Sequence, residues 1–84
     1  MSMDLLKLKI SSAEIVMFEG EGQSLSSVNE TGPFDILPDH AQFVSLLHNA
    51  EVKVVDHQGQ EQQFQVHRGL LAVKDNTVRV FVDL

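Results

Sequence analysis

An all-β domain is the fold class this 84-residue chain predicts, and three observations carry it. Apolar residues recur with a period of two, the runs are rich in Val, and turn signals containing Gly, Asn or Asp separate the runs at short intervals. Strict alternation marks strands with one buried face. Branching at the β-carbon suits a pleated, half-buried surface. The expectation is a small antiparallel β-sandwich of short strands joined by hairpins, with no substantial helix, in one domain spanning residues 1–84. A chain of this size buries only about 60–65% of the surface its unfolded form exposes, so its core pattern has to be consistent.

Taken in order, "LLKLKI" alternates Leu6, Leu8 and Ile10 with Lys7 and Lys9 and reads as the first strand. "EIVMF" follows as a second, and "EGEG" (19–22) predicts a bend or bulge after it, since Gly frees the backbone there. "QSLSSV" is a further strand, closed by "NETGP". "DHAQFVSLLHNA" (39–50) fits two descriptions. Asp39 could cap a helix carrying Phe43, Val44, Leu46 and Leu47 on one stripe, but an irregular turn followed by a short strand is favoured. "EVKVVD", "QFQVH" and "TVRVFVD" alternate again, with hairpin turns at "DHQGQ" and "KDNT" between them. Capping-box patterns at Ser11 to Glu14 and Ser27 to Glu30 do not lead into helices. The first meets "IVMF", which prefers a strand, and the second meets Gly32-Pro33, which breaks a helix.

Composition narrows the function. Six Lys plus Arg against twelve Asp plus Glu give a net charge of −6, and the basic residues are scattered along the chain. Nucleic-acid binding and adsorption to an anionic membrane surface are both disfavoured. No run is long and apolar enough to span a bilayer, and the N-terminus lacks the basic start and apolar run of a signal peptide. With no Cys, neither a disulfide framework nor a zinc-thiolate centre is available, which fits a reducing compartment. "NET" at Asn29 to Thr31 matches the glycosylation pattern but lacks that secretory context.

Catalytic chemistry finds little footing. No G-x-S-x-G elbow, catalytic Cys or phosphate-binding Gly-rich loop is present. The acid–histidine run "GPFDILPDHAQF" invites a metal reading through Asp35, Asp39 and His40. Adjacent Asp39 and His40 point apart on an extended chain, and Pro38 opposes the helix that would align Asp35 with Asp39. Polar turn residues explain them better. The same stretch holds both prolines and several large apolar residues. It reads as a stiffened loop that either plugs one end of a sandwich or presents a rigid patch to a protein partner.

That loop carries a resemblance. Gly32, Phe34, Ile36, Leu37, Pro38, His40 and Ala41 match in register the run G-x-F-G-I-L-P-G-H-A-P of the N-terminal β-sandwich domain of F-type ATP synthase epsilon subunits. "LKLKISSAEIVMFEGE" is similar to that family's first hairpin. "VHRGLLAVKDNTVRVFVD" is similar to its V-S-G-G-F-L-E-V-x-x-N-x-V-T-V-L-A-D run, through Val66, Gly69, Leu71, Val73, Asn76, Val78, Val80 and Asp83. Departures are Asp35 and Asp39 for glycines, Gln42 for a proline, and His67-Arg68 for a small Ser-Gly pair. Asp tolerates the left-handed backbone, so either Asp could preserve a glycine turn.

The resemblance implies a non-catalytic central-stalk subunit that couples c-ring rotation to ATP synthesis by binding the gamma subunit and the c-ring. It implies no cofactor, and a peripheral place on the cytoplasmic face of the membrane. Ser12, His40 and Ser45 would then face gamma, although His40 fits equally well as a buried His bonded to the backbone. Glu30, Thr31, Gly32 and Pro33 would form the c-ring-facing loop, with Glu30 supplying an acid that relatives often carry at the position of Pro33. Phe34, Ile36, Leu37 and Pro38 would shape the loop. Most members continue into a regulatory C-terminal helical hairpin, whereas this sequence stops at Leu84, where the sandwich is expected to end; the expectation is a short form lacking the hairpin, either natural or trimmed. The alternative is a stand-alone β-sandwich protein-binding module of another complex.

Overall fold

The computed structural model describes residues 4–83, and every described element is a strand. The strands are β1 (Leu6–Ser11), β2 (Val16–Asn29), β3 (Gly32–Ile36), β4 (Phe43–Asp56), β5 (Glu61–Lys74) and β6 (Thr77–Val82). They lie in the order β1-β6-β5-β4-β2-β3, and β1 also pairs with β2, which closes the sheet into a flattened barrel. The body measures 38 × 27 × 20 Å, and its shortest dimension accommodates two layers packed about 10 Å apart. Among the described residues β1–β6 is the parallel pair, and the other five pairings are antiparallel.

Three strands are much longer than the sequence suggests. The runs read as separate strands before and after "EGEG" are one 14-residue strand, β2, and β4 and β5 are 14 residues each. Each long strand serves both layers by switching its inward face partway along. In β4 the inward side chains are Ser45 and Leu47, then Ala50, Val52 and Val54; in β5 they are Val66, then Leu71 and Val73. The switch in β4 falls at Asn49, whose φ of 49° lies in the left-handed region. In β2 it falls at the register shift between Gly22 and Ser24. A Cβ on Gly22 would sit 2.5 Å from Leu8 Cδ1 and 2.8 Å from the Val55 carbonyl, so only glycine lets the strands cross here.

The first layer comprises β1, β6, residues 16–22 of β2, 43–48 of β4 and 68–74 of β5. The second comprises β3 and residues 24–29, 50–56 and 61–66 of β2, β4 and β5. Between them lies a core that includes Leu6, Leu8, Ile10, Leu25, Ile36, Val52, Leu71 and Val80. Each such side chain contributes roughly 1.5–3 kcal/mol on burial. Phe18 meets Phe64 edge-on, ring centres 6.2 Å apart, joining the layers along one margin.

The β4–β5 turn is organised by Asp56. Its carboxylate accepts the backbone N–H groups of Gln58 and Gln60, both at 2.9 Å. The bond from Gln60 leads in holding the carboxyl below its ordinary value of 3.8, against an opposing effect of desolvation.

Candidate partner-docking face

Strand pairing gathers on one surface residues that lie far apart in sequence. On the outer side of the first layer, Lys9, Arg79, Ala72 and Val44 stand side by side across β1, β6, β5 and β4. The next row runs Ser11, Phe81, Leu70 and Leu46, and a third holds Lys7, Thr77 and Lys74. Leu46 is 74% exposed, Val44 63% and Phe81 41%, so this strip of large apolar side chains lacks cover. Arg68 stands opposite His48 beside it. Five of the chain's six basic residues thus share one face, and Lys53 alone lies elsewhere. The acids on this face are Glu19 and Glu21, which pair in register with Lys9 and Lys7 at its margin.

The pattern that reveals this face was present in "FVSLLH". Apolar residues occupy both parities there: Leu47 is buried, while Val44 and Leu46 point out. A strand that is apolar on both sides inside a half-buried sheet signals a second contact surface. The basic residues were legible only as scattered, because their gathering depends on non-local register.

One end of the face is bounded by the β2–β3 hairpin. Glu30 and Thr31 form its two-residue tip, with Asn29 paired to Gly32, whose φ of 120° suits glycine. Asn29 Oδ1 accepts from Thr31 N at 2.9 Å and from Thr31 Oγ1 at 2.6 Å. Asn29 Nδ2 donates to the buried Ser45 Oγ at 3.0 Å, which ties the tip to β4. A groove between tip and face is lined by Val28, Glu30, Leu46, His48 and Arg68.

The stretch expected as a loop is in part a strand. Gly32, Pro33, Phe34 and Ile36 belong to β3, at the edge of the sheet, where a proline's missing N–H is tolerated. Ile36 is fully buried, and the Phe34 ring packs on Phe43 with centres 5.3 Å apart. The true loop covers residues 37–42, with Leu37 exposed, Pro38 half-buried, and a turn closed by His40 N donating to the Leu37 carbonyl at 3.1 Å.

Asp35, Asp39 and His40 each face a different partner. Asp35 accepts from Ser26 Oγ at 2.6 Å. Asp39 has a φ of 67°, and its N–H donates to Asn76 Oδ1 at 2.6 Å while Asn76 Nδ2 donates back to Asp39 Oδ1 at 3.3 Å. Half-buried His40 bonds through Nδ1 to the Ala41 carbonyl at 2.7 Å and sets its ring edge-on to Phe43. The left-handed glycine role therefore applies at Asp39; Asp35 is ordinary strand backbone.

Ser12, His40 and Ser45 occupy three separate settings, and no hydrogen bond or ring contact joins them among the described residues. Ser12 Oγ accepts the N–H groups of Glu14 and Ile15, both at 3.2 Å, shaping the β1–β2 turn. Beside that turn Ile15 and Val16 are exposed, and Ser11 pairs with both Val16 and Phe81, so the apolar strip continues toward Ser12.

Comparison with known proteins gives a consistent set of likenesses. A family model described as "ATP synthase, Delta/Epsilon chain, beta-sandwich domain" matches residues 5–84. The ATP synthase epsilon chain of Clostridium novyi is 31% identical over 77 residues, covering 92% of this chain and 59% of that one. The epsilon chain of Alkalilimnicola ehrlichii is 35% identical over 81 residues, covering 96% of this chain and 58% of its own. The chain therefore spans about three fifths of the length of these curated relatives. Among solved structures, a chain of the Euglena gracilis mitochondrial ATP synthase OSCP/F1/c-ring assembly superposes with a TM-score of 0.85 at 16% identity, over 93% of this chain and 50% of that one. A chain of the Tetrahymena thermophila central stalk/c-ring assembly gives 0.77 at 13% identity, over 92% and 62%. At those identities the structural likeness speaks for the fold.

Proposed function

The chain belongs to the family of ATP synthase delta/epsilon-chain β-sandwich domains, and on that premise we propose that it is a non-catalytic rotor component of an F-type ATP synthase. It forms one epsilon-type domain over residues 1–84. Its task is mechanical: to fix the gamma subunit to the c-ring so that ion-driven rotation reaches the catalytic head. It needs no cofactor and carries no active site, and its place is peripheral, on the cytoplasmic side of the membrane.

The observation that carries this reading is the strip of exposed Val44, Leu46 and Phe81, with half-buried Leu70 among them, framed by Lys9, Arg68 and Arg79. Large apolar side chains clustered on one face support a protein contact, and gamma is the partner the family supplies. Ser12 lies at one margin of that face, and the Asn29–Ser45 bond anchors its other margin. His40 acts from the loop 37–42, where its contact with Phe43 keeps the turn in shape. The tip at Glu30 and Thr31, with Gly32 and Pro33 behind it, then points to the c-ring, and Glu30 supplies the exposed acid.

Pull-down with purified gamma subunit, followed by addition of c-ring, tests the assignment. Gamma is expected to be retained by the wild-type chain and lost by Leu46→Asp, with the c-ring joining only when gamma is present. Replacing His40 with Glu is expected to weaken gamma binding more than it lowers the melting temperature. Retention of gamma unchanged by Leu46→Asp would refute the proposed face, and measurable ATP binding by calorimetry would count against a purely mechanical role.

A further inference from the structure

A second cluster lies where β4 and β5 change layers. His48 and His67, both exposed, come from these neighbouring strands, with ring centres 6.0 Å apart and planes inclined by 49°. His67 Nδ1–H donates to Asn49 Oδ1 at 2.8 Å, which leaves the lone pair on Nε2, facing away from that bond. Asn49 is itself fixed in left-handed backbone at the strand's change of face. An outer-shell hydrogen bond of this kind sets the tautomer and orientation of metal-binding imidazoles.

We infer that His48 and His67 form a two-imidazole site for a late first-row divalent cation, with Cu(II) bound more tightly than Zn(II) or Ni(II) and water completing the coordination. With metal–nitrogen bonds of ~2.0–2.1 Å, two cis imidazoles hold their ring centres about 4.5 Å apart on a tetragonal Cu(II) and about 5 Å apart on a tetrahedral Zn(II), so the rings need close by about 1–1.5 Å. Exposed side chains reach that by small rotations about χ1 and χ2. No third His, Cys, Asp or Glu completes the set among the described residues. A site of two neutral nitrogens selects by intrinsic affinity, which peaks at Cu(II), and offers nothing to Mg²⁺ or Ca²⁺, which take oxygen ligands. Arg68, in register opposite His48, opposes the incoming cation and holds the affinity down. The two ligands meet only in the folded sheet, so a bound ion stabilises the native state and staples β4 to β5 at their crossover. His48 also lines the groove beside the hairpin tip, which puts the ion at the rim of the docking face.

Titration of the chain with CuCl2 in a non-coordinating buffer, read by electron paramagnetic resonance and by thermal melting, tests the site. One ion with two imidazole nitrogens and a raised melting temperature are expected, with weaker binding of Zn(II) and none of Mg²⁺. His48→Ala and His67→Ala should each remove the second nitrogen and the thermal shift. Asn49→Ala should weaken binding roughly tenfold, as loss of an outer-shell partner does, and Arg68→Ser should tighten it. Melting of the metal-free variants shows whether each remains folded. A one-nitrogen spectrum, or affinity that survives the double His48→Ala/His67→Ala replacement, would overturn the site.

Discussion

The two outer faces of this flattened barrel are built by the same strands yet differ in kind. The first layer shows Val44, Leu46, Leu70 and Phe81 among Lys9, Arg68 and Arg79. The second shows mainly Ser24, Ser26, Asp35, Glu51, Glu61, Gln63 and Gln65, with Lys53 as its one basic residue and Val28, Pro33 and Val55 as apolar exceptions. A solvated sheet face is expected to be polar, as the second one is. The first departs from that expectation while its chain carries a net charge of −6. Since β4 and β5 contribute to both faces, the difference does not come from separate segments; it comes from where each strand switches its inward side. Asn49, Gly22 and the neighbourhood of Gly69 are thus the positions that divide a contact surface from a solvent surface.

Substitution can break the comparison most severely at its centre. Leu46→Asp is expected to lower gamma affinity by roughly 30-fold or more, the range of a central interface anchor, with little change in melting temperature because Leu46 is 74% exposed. Gln63→Asp on the other face is expected to leave both unchanged. Equal losses from the two variants, read by calorimetric titration, would erase the distinction between the faces.

Charge reversal gives a smaller, salt-dependent effect. Arg79→Glu is expected to slow association with gamma and to flatten its dependence on ionic strength, whereas Lys53→Glu should do neither. Stopped-flow or surface-binding kinetics at two salt concentrations separate these outcomes.

The loop 37–42 carries the chain from β3 in the second layer to β4 in the first, and the reciprocal Asp39–Asn76 pair pins it. Lys7 N also donates to the Asn76 carbonyl at 2.8 Å, so three segments meet at one residue. Asn76→Gly keeps the positive φ of 61° accessible while deleting the side-chain bonds. It is expected to cost about 1 kcal/mol of unfolding free energy, measurable by urea denaturation. Asn76→Ala should cost more, because Ala is strained at that φ.

The smallest expected effect concerns acid. The Asp56 carboxyl is held below its ordinary value of 3.8 chiefly by the Gln60 N–H. A group with a depressed folded pKa contributes stability in full above its unfolded value, and loses it as pH falls through the folded one. The stability gap between wild type and Asp56→Asn should therefore be constant from neutral pH down to about 5 and shrink as pH falls through 3.8 toward the lower folded value. A gap that stays constant through that acid range would show that the charge on Asp56 is immaterial to the turn.

Much of the fold was legible because alternation is a local signal. The strands, the turns at "DHQGQ" and "KDNT", and the strand after residue 42 all follow from side-chain period and turn chemistry. The parallel β1–β6 pair was not legible, since it joins the two ends of the chain and leaves no local mark. The prolines misled at β3: Pro33 suggests a loop, but an edge strand leaves one side unpaired and accepts it. The continuity of β2 was hidden for a related reason, because "EGEG" signals a break whereas Gly22 lets an unbroken strand cross from one layer to the other. The family run, expected as a loop, is β3 over its first half and loop only over residues 37–42. The apolar strip had only the double-parity apolar pattern of "FVSLLH" to announce it, and that pattern also fits a helix.

The central claim is that one outer face docks a partner and the other meets solvent. An isotope-labelled chain titrated with purified gamma subunit, followed amide by amide, tests it most directly. Perturbations are predicted at Val44, Leu46, Leu70, Ala72, Arg79 and Phe81. A footprint centred instead on Glu51, Lys53, Glu61, Gln63 and Gln65 would contradict the account.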